Sequence, residues 1–174
     1  YIWGESDIGK SYLNDALHDL INPHLRGPKY YTLNTNLKYW SGYSEGMPGL
    51  TIDDVGTASG VRGEEFWASM MPMVSNMNYV VPRAELENKG QSCTASIITM
   101  TSNASPSTRF PGVNNPEALW NRFHFRIHAT CKDAFKNESG TMDIKKVLAQ
   151  SEIDRLRFFH LNLNVVFKDD TNVR

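Results

Sequence analysis

Eight consecutive residues near the start of the chain, Gly4-Glu5-Ser6-Asp7-Ile8-Gly9-Lys10-Ser11, fit the pattern G-x-x-x-x-G-K-[ST], that of a loop that wraps phosphate. Gly4 and Gly9 permit backbone conformations that turn successive N–H groups toward phosphate oxygens, Lys10 reaches the β- and γ-phosphates, and the Ser11 hydroxyl ligates Mg²⁺. All eight residues are therefore candidate nucleotide contacts. Phosphoryl transfer also needs an acid to hold the metal and its water, since catalysis rests on charge neutralisation more than on covalent help from the protein. Asp53-Asp54, at the end of Gly49-Leu50-Thr51-Ile52, supplies one. Asp53 is expected to position the metal, and Asp54 to orient or deprotonate the attacking water. Asn103 ends a further apolar and β-branched segment. Its amide suits the γ-phosphate or the attacking water, and equally suits a turn before Ala104-Ser105-Pro106. Arg122 is placed either to reach a nucleotide bound by a neighbouring subunit or to sit on the surface as an ordinary arginine.

These residues need elements to carry them. Tyr12 to Ile21 has Leu13, Ala16, Leu17, Leu20 and Ile21 at three- and four-residue spacing before Asn22-Pro23, which predicts a helix opening directly from the loop. A helix N-terminus with free N–H groups is itself an anion site. Gly49–Ile52 and Thr94–Asn103 read as strands, Gly63 to Met77 as a helix with Phe66, Met70, Met71 and Val74 on its core side. Asn114-Asn115-Pro116-Glu117-Ala118-Leu119-Trp120-Asn121-Arg122-Phe123 reads as an N-cap, an N1 proline and a short helix. Its exit is a strand, with Phe123, Phe125 and Ile127 on the buried face and His124, Arg126 and His128 on the other. Asp143 to Phe159 is expected to be one amphipathic helix, followed by a strand over Leu161–Val165.

Composition narrows the classes. Of 174 residues, 40% are hydrophobic and 21% charged, enough for one sizeable core, so a single domain is expected. Eighteen basic against nineteen acidic residues exclude a protein that binds nucleic acid by bulk charge. No apolar run is longer than three residues, which excludes a membrane-spanning helix and predicts a soluble segment. Cys93 and Cys131 lie far apart with no metal-ligand partners in sequence, against a disulfide scaffold or structural zinc and in favour of a reducing setting. The opening Tyr1-Ile2-Trp3 reads as the end of a longer first strand, so the chain is expected to be a piece of a longer polypeptide.

Taken in order, these blocks resemble the superfamily 3 helicases, specifically the 2C-type NTPase of picornaviruses and picorna-like positive-strand RNA viruses. The likeness runs from about Trp3 to about Ala129. Lys38-Tyr39-Trp40-Ser41-Gly42-Tyr43 is similar to the aromatic-Gly-Tyr signature before that family's acidic strand, and Asp53-Asp54 to its second motif. Lys89-Gly90 through Thr101-Ser102-Asn103 is similar to its Lys-Gly block and third motif. Pro116 to Phe123 looks like its Ala-Leu-x-Arg-Arg-Phe box, which carries arginine fingers acting between subunits; here Asn121 stands in place of the first arginine and Arg122 matches the second. Cys93 stands where an aromatic is common. The resemblance implies a three-layer α/β P-loop domain of the AAA+ type with a mainly parallel central sheet. Residues 3–129 would bear its motifs, and 130–174 a C-terminal helix and strand of the same domain.

It further implies ATP or another NTP with Mg²⁺, single-stranded RNA as partner, a homo-oligomer in the form of a hexameric ring, and other viral replication proteins. The setting implied is the host cytoplasm at virus-induced replication membranes, reached through flanking segments. Arg83 and Lys89, near a turn in the segment Asn76 to Gln91, are the candidate RNA contacts, with solvated surface cations as the alternative. The five histidines form no metal-protease or deaminase pattern. Three functions stay open: an RNA-remodelling motor, a ring ATPase for virion assembly or membrane rearrangement, and a non-catalytic scaffold that binds nucleotide without turnover.

Overall fold

The structure is a computed structural model and describes residues 1–24, 26–56, 61–75, 78–84, 89–110, 112–150 and 159–165. Along the chain run β1 (Ile2–Trp3), α1 (Lys10–Ile21), β2 (Tyr30–Thr32), β3 (Gly49–Ile52), α2 (Val61–Met73), β4 (Ile97–Ser102), α3 (Pro116–Trp120), β5 (Phe125–Cys131), a 3₁₀ turn (Asp133–Phe135), α4 (Ile144–Leu148) and β6 (Phe159–Val165). The strands of the described residues form one sheet in the order β2-β3-β4-β1-β5-β6. Its first five strands are parallel to their neighbours, and β6 alone pairs antiparallel, with β5. Crossovers between parallel strands demand helices on the faces.

Strand alternation assigns those faces. Tyr1, Leu50, Ile52 and Met100 point into a core shared with Phe66, Trp67 and Met70 of α2 and with Leu119 and Trp120 of α3. Ile2, Ala129 and Cys131 point the other way, against Leu13 of α1 and Val147 of α4. Helices on both faces of a mostly parallel sheet make the three-layer α/β architecture expected from sequence.

Several boundaries differ from expectation. The β4 strand starts at Ile97 because Thr94 is used elsewhere: its hydroxyl accepts from the Gly46 N–H at 2.9 Å, and its own N–H donates to the Tyr43 hydroxyl at 2.9 Å. The helix after the acidic pair ends at Met73, with Pro72 in its last turn; Asn76 and Met77 lie outside the described residues. Leu20 and Ile21 do not face the core as the apolar spacing suggested, and are 72% and 50% exposed. The buried side of α1 is Lys10, Leu13, Asn14 and His18, because part of the sheet beneath it is lined by threonines. Phe125 is 56% exposed although its alternation placed it inside. The helix expected from Asp143 to Phe159 is not continuous: α4 closes at Ala149 and Phe159 already belongs to β6, while 151–158 lie outside the described residues.

Candidate nucleotide-binding site

The phosphate loop leaves the carboxyl end of β1 and turns into α1. Two local features force its shape. Gly4 is pressed so closely against β5 that a Cβ there would lie 2.2 Å from the Ala129 carbonyl oxygen and 2.8 Å from Ile8 Cδ1. Gly9, the N-cap of α1, has φ 87°, in the left-handed region that side chains disfavour. Asp7 also sits there, at φ 57°, a conformation that aspartate tolerates better than most residues.

Lys10 is 9% exposed. Its ammonium donates to the carbonyls of Glu5 at 2.6 Å and Gly4 at 3.3 Å, and to Asn103 Oδ1 at 2.7 Å. Burial lowers its pKa, while Asp54, Asp53 and Asp7 pull it back up. Ser11 Oγ donates to the Asp53 carboxylate at 3.0 and 3.2 Å, across 42 residues of sequence. Both are hard oxygen donors, and with phosphate oxygens and water they suit Mg²⁺, which seldom takes an all-protein cage. Among the described residues no cluster of three or more His, Cys, Asp or Glu forms an alternative metal site.

Asp54 follows at φ 53°, in the same left-handed region as Asp7. Its N–H donates to Thr101 Oγ1 at 3.0 Å and to Asp53 Oδ1 at 3.2 Å. Thr101, 1% exposed, donates its own proton to Asp53 Oδ1, so one buried hydroxyl orients both acids. Together Ser6, Asp7, Gly9, Lys10, Ser11, Asp53, Asp54, Thr101 and Asn103 line a cavity of about 470 Å³, closed on one side by Met142 and Ile144. The Met142 N–H donates to the Asp7 carbonyl at 3.2 Å. Sequence reading missed Thr101, which only the alternation of β4 marks, and Met142 and Ile144, which nothing local marks as facing a phosphate cradle.

The remaining candidates lie elsewhere. Arg122 precedes the amino end of β5, which runs parallel to β1, so it sits at the opposite end of the sheet from the loop of its own chain; its Nε donates to Met71 Sδ at 3.1 Å. Arg83 is held inward: it donates to the carbonyls of Trp40, at 2.8 Å, and Tyr43, and to Gln91 Oε1 at 2.6 Å, and stacks over the Tyr43 ring. Those contacts tie the Trp40–Tyr43 signature to the segment before β4. Lys89 is exposed in a turn with Gly90. Asn88 and its neighbours 85–87 lie outside the described residues.

A phosphate loop between an interior parallel strand and its following helix, with two acids at the end of β3, the next strand but one in the sheet, defines the class: an α/β fold of the P-loop NTPase type. The sequence profile of the RNA helicase family matches residues 1–104. The chain is also 33% identical over 141 residues to the genome polyprotein of Human klassevirus 1 and, with the same identity and length, to that of Salivirus A (isolate Human/Nigeria/NG-J1/2007). Each alignment covers 76% of this chain and 6% of the polyprotein, so the chain spans a small part of the relatives it matches. It belongs to the RNA helicase family, in keeping with the superfamily 3, 2C-like character of its motifs. The block around Arg122 lies beyond the residues the family profile matches.

Proposed function

We propose that residues 1–174 form one NTP-hydrolysing unit of an RNA-remodelling motor serving replication of a positive-strand RNA virus. The observation that carries this is the convergence of Lys10, Ser11, Asp53 and Asn103 on one cavity from three separate elements. The triphosphate of ATP or another NTP lies along the N–H groups of residues 4–11, where the loop and the helix end favour anions. Its base rests on Met142 and Ile144, the apolar side of the cavity. Bound Mg²⁺, held by Ser11 and Asp53, supplies charge neutralisation on the phosphates. Lys10 exchanges its internal carbonyl partners for phosphate oxygens, Asn103 orients the γ-phosphate or the water, and Asp54 accepts a proton from that water.

In this reading, single-stranded RNA is the partner of a homo-oligomeric ring and is contacted through Lys89 rather than through Arg83, whose guanidinium is engaged within the fold, and Arg122 completes the site of the adjacent subunit. The work takes place in the host cytoplasm at replication membranes, with other viral replication proteins. The test is ATP hydrolysis with and without Mg²⁺ and single-stranded RNA, beside Lys10→Ala. RNA-stimulated turnover that depends on Lys10 supports the motor. Turnover indifferent to RNA indicates an assembly or membrane ATPase, nucleotide binding without turnover indicates a scaffold, and normal turnover in Lys10→Ala overturns the site.

A further inference from the structure

The cavity is the outer end of a polar stripe that continues into the protein, and its inner half has no part in the chemistry above. Three elements build the stripe, each by its own period. α1 contributes Ser11, Asn14 and His18 at helical spacing, β3 and the residue after it contribute Thr51 and Asp53, and β4 contributes Thr99 and Thr101, the strand residues alternating by two. His18 is 0% exposed. Its Nε2 lies 2.9 Å from Thr99 Oγ1 and 3.1 Å from Thr51 Oγ1, and the two hydroxyls are 2.9 Å apart. Asn14 Nδ2 donates to Thr51 Oγ1 at 3.1 Å. Beneath the imidazole there is room for backbone only, since a Cβ on Gly49 would lie 2.6 Å from His18 Cε1.

An apolar packing of α1 on these strands would permit small slides of the helix. A hydrogen-bonded cluster does not, because each slide breaks directional contacts among buried groups. The cluster is also imperfect: Asn14 Oδ1 and His18 Nδ1 are buried without partners. A polar arrangement in an interior can fix the register of the elements it joins. One helical turn from Asn14 is Ser11, and two residues along β3 from Thr51 is Asp53, the pair whose oxygens approach to 3.0 Å. The phosphate loop has separate anchors: the Gly4 N–H donates to the Ser102 carbonyl at 3.3 Å, and Gly4 abuts Ala129.

We propose that Asn14, His18, Thr51 and Thr99 are positioning residues that set the Ser11–Asp53 separation, and thereby govern the metal-dependent part of nucleotide binding separately from the Gly4 anchors of the phosphate loop. This rests on the nucleotide reading above. The variants that test it are Thr51→Val, Thr99→Val and their combination, which keep side-chain shape and remove the hydroxyls, together with His18→Leu and the conservative His18→Gln. Fluorescent ADP is titrated in EDTA and in graded Mg²⁺, hydrolysis is followed across the same Mg²⁺ range, and melting temperature is recorded, all in the full-length protein. The Thr51→Val/Thr99→Val protein should need about five- to tenfold more Mg²⁺ for half-maximal binding and turnover, with its EDTA affinity and its turnover at saturating Mg²⁺ within twofold of wild type. His18→Gln, whose amide can meet the same hydroxyls, should restore the Mg²⁺ midpoint that His18→Leu loses. A folded double-valine protein with a wild-type midpoint overturns the proposal. So do EDTA and Mg²⁺ affinities that fall together, as they would if the cluster served folding alone. Wild-type protein that binds no nucleotide in either condition overturns the nucleotide reading itself, and the proposal with it.

Discussion

Replacing Gly4 with alanine tests whether the phosphate loop is held by steric fit against β5. The added Cβ would sit 2.2 Å from the Ala129 carbonyl oxygen, whereas carbon and carbonyl oxygen come no closer than about 3.3 Å in relaxed contacts. The shortfall is therefore about 1 Å. Neither party can rotate away: Ala129 is 0% exposed within β5, which is paired on both sides, with β1 and β6. The loop must move, and the Gly4 carbonyl that receives the Lys10 ammonium moves with it. Overpacking of this kind costs about 1–3 kcal/mol, which for a chain of this size lowers the melting temperature by about 2–12 °C. A displacement of about 1 Å in a reacting geometry costs about 100-fold in rate. Calorimetry and Mg²⁺-dependent ATP turnover read the two effects. Gly46→Ala is the control: Gly46 has φ +87° with nothing within 4 Å, so it should lose about 1–2 kcal/mol to backbone strain and keep its turnover. Wild-type melting temperature and turnover in Gly4→Ala would refute the reasoning.

Asp54→Asn should slow hydrolysis by about 10²–10⁴-fold, the range for a lost general base, with Mg²⁺-nucleotide affinity kept; complete loss of binding would instead put Asp54 among the metal ligands. Arg122→Ala should be inactive alone and partly rescued by mixing with Lys10→Ala, because one of the two kinds of mixed interface then joins an intact loop to an intact arginine, and no rescue at any ratio counts against action between subunits. His18 gives a pH prediction. Burial lowers its pKa from the ordinary 6.5, with Asp15 and Asp19 opposing, so below that value the unfolded chain binds a proton that the folded chain resists, and stability falls as pH drops. Melting temperatures at about pH 7.5 and 5.5, bracketing that value, should differ less in His18→Gln than in wild type; an equal fall in both proteins removes His18 as the cause.

The phosphate loop was legible in sequence because its chemistry is contiguous: glycines, lysine and serine are ordered by the path of one turn. Asp53 and Asn103 were legible through the β-branched runs that precede them. The edge strand β2 was not, since Tyr30–Thr32 is three residues long, too short for an alternation, and it becomes a strand only by pairing with β3. The helix expected from Asp143 failed for a related reason. Ile144 and Leu148 fit a helical period but are 60% and 57% exposed, and Val147 alone of the α4 residues is buried. Its Asp143 cap, which accepts from the N–H groups of Lys145 and Lys146, was a sounder signal than the apolar spacing. Arg83 reads in sequence as a free cation near a turn, and only the tertiary structure reveals the carbonyls of Trp40 and Tyr43 converging on it.

The orientation of α1 shows how the site is made. Apolar spacing chose Leu20 and Ile21 for the core, yet the helix turns Asn14 and His18 inward. The partner strand already contained the reason. In Ile97-Ile98-Thr99-Met100-Thr101-Ser102, the apolar Ile98 and Met100 share one face and Thr99 and Thr101 the other. Leu50 and Ile52 flank Thr51 in β3 in the same way. Two adjacent parallel strands with threonines in register, Thr51 beside Thr99, present hydroxyls to whatever helix covers them, and buried hydroxyls demand polar partners. The helix that opens from the phosphate loop is the one that supplies them. Reading the strands' alternation before the helix's period would have turned α1 the right way, and would have pointed to Thr101 as the hydroxyl next to Asp53.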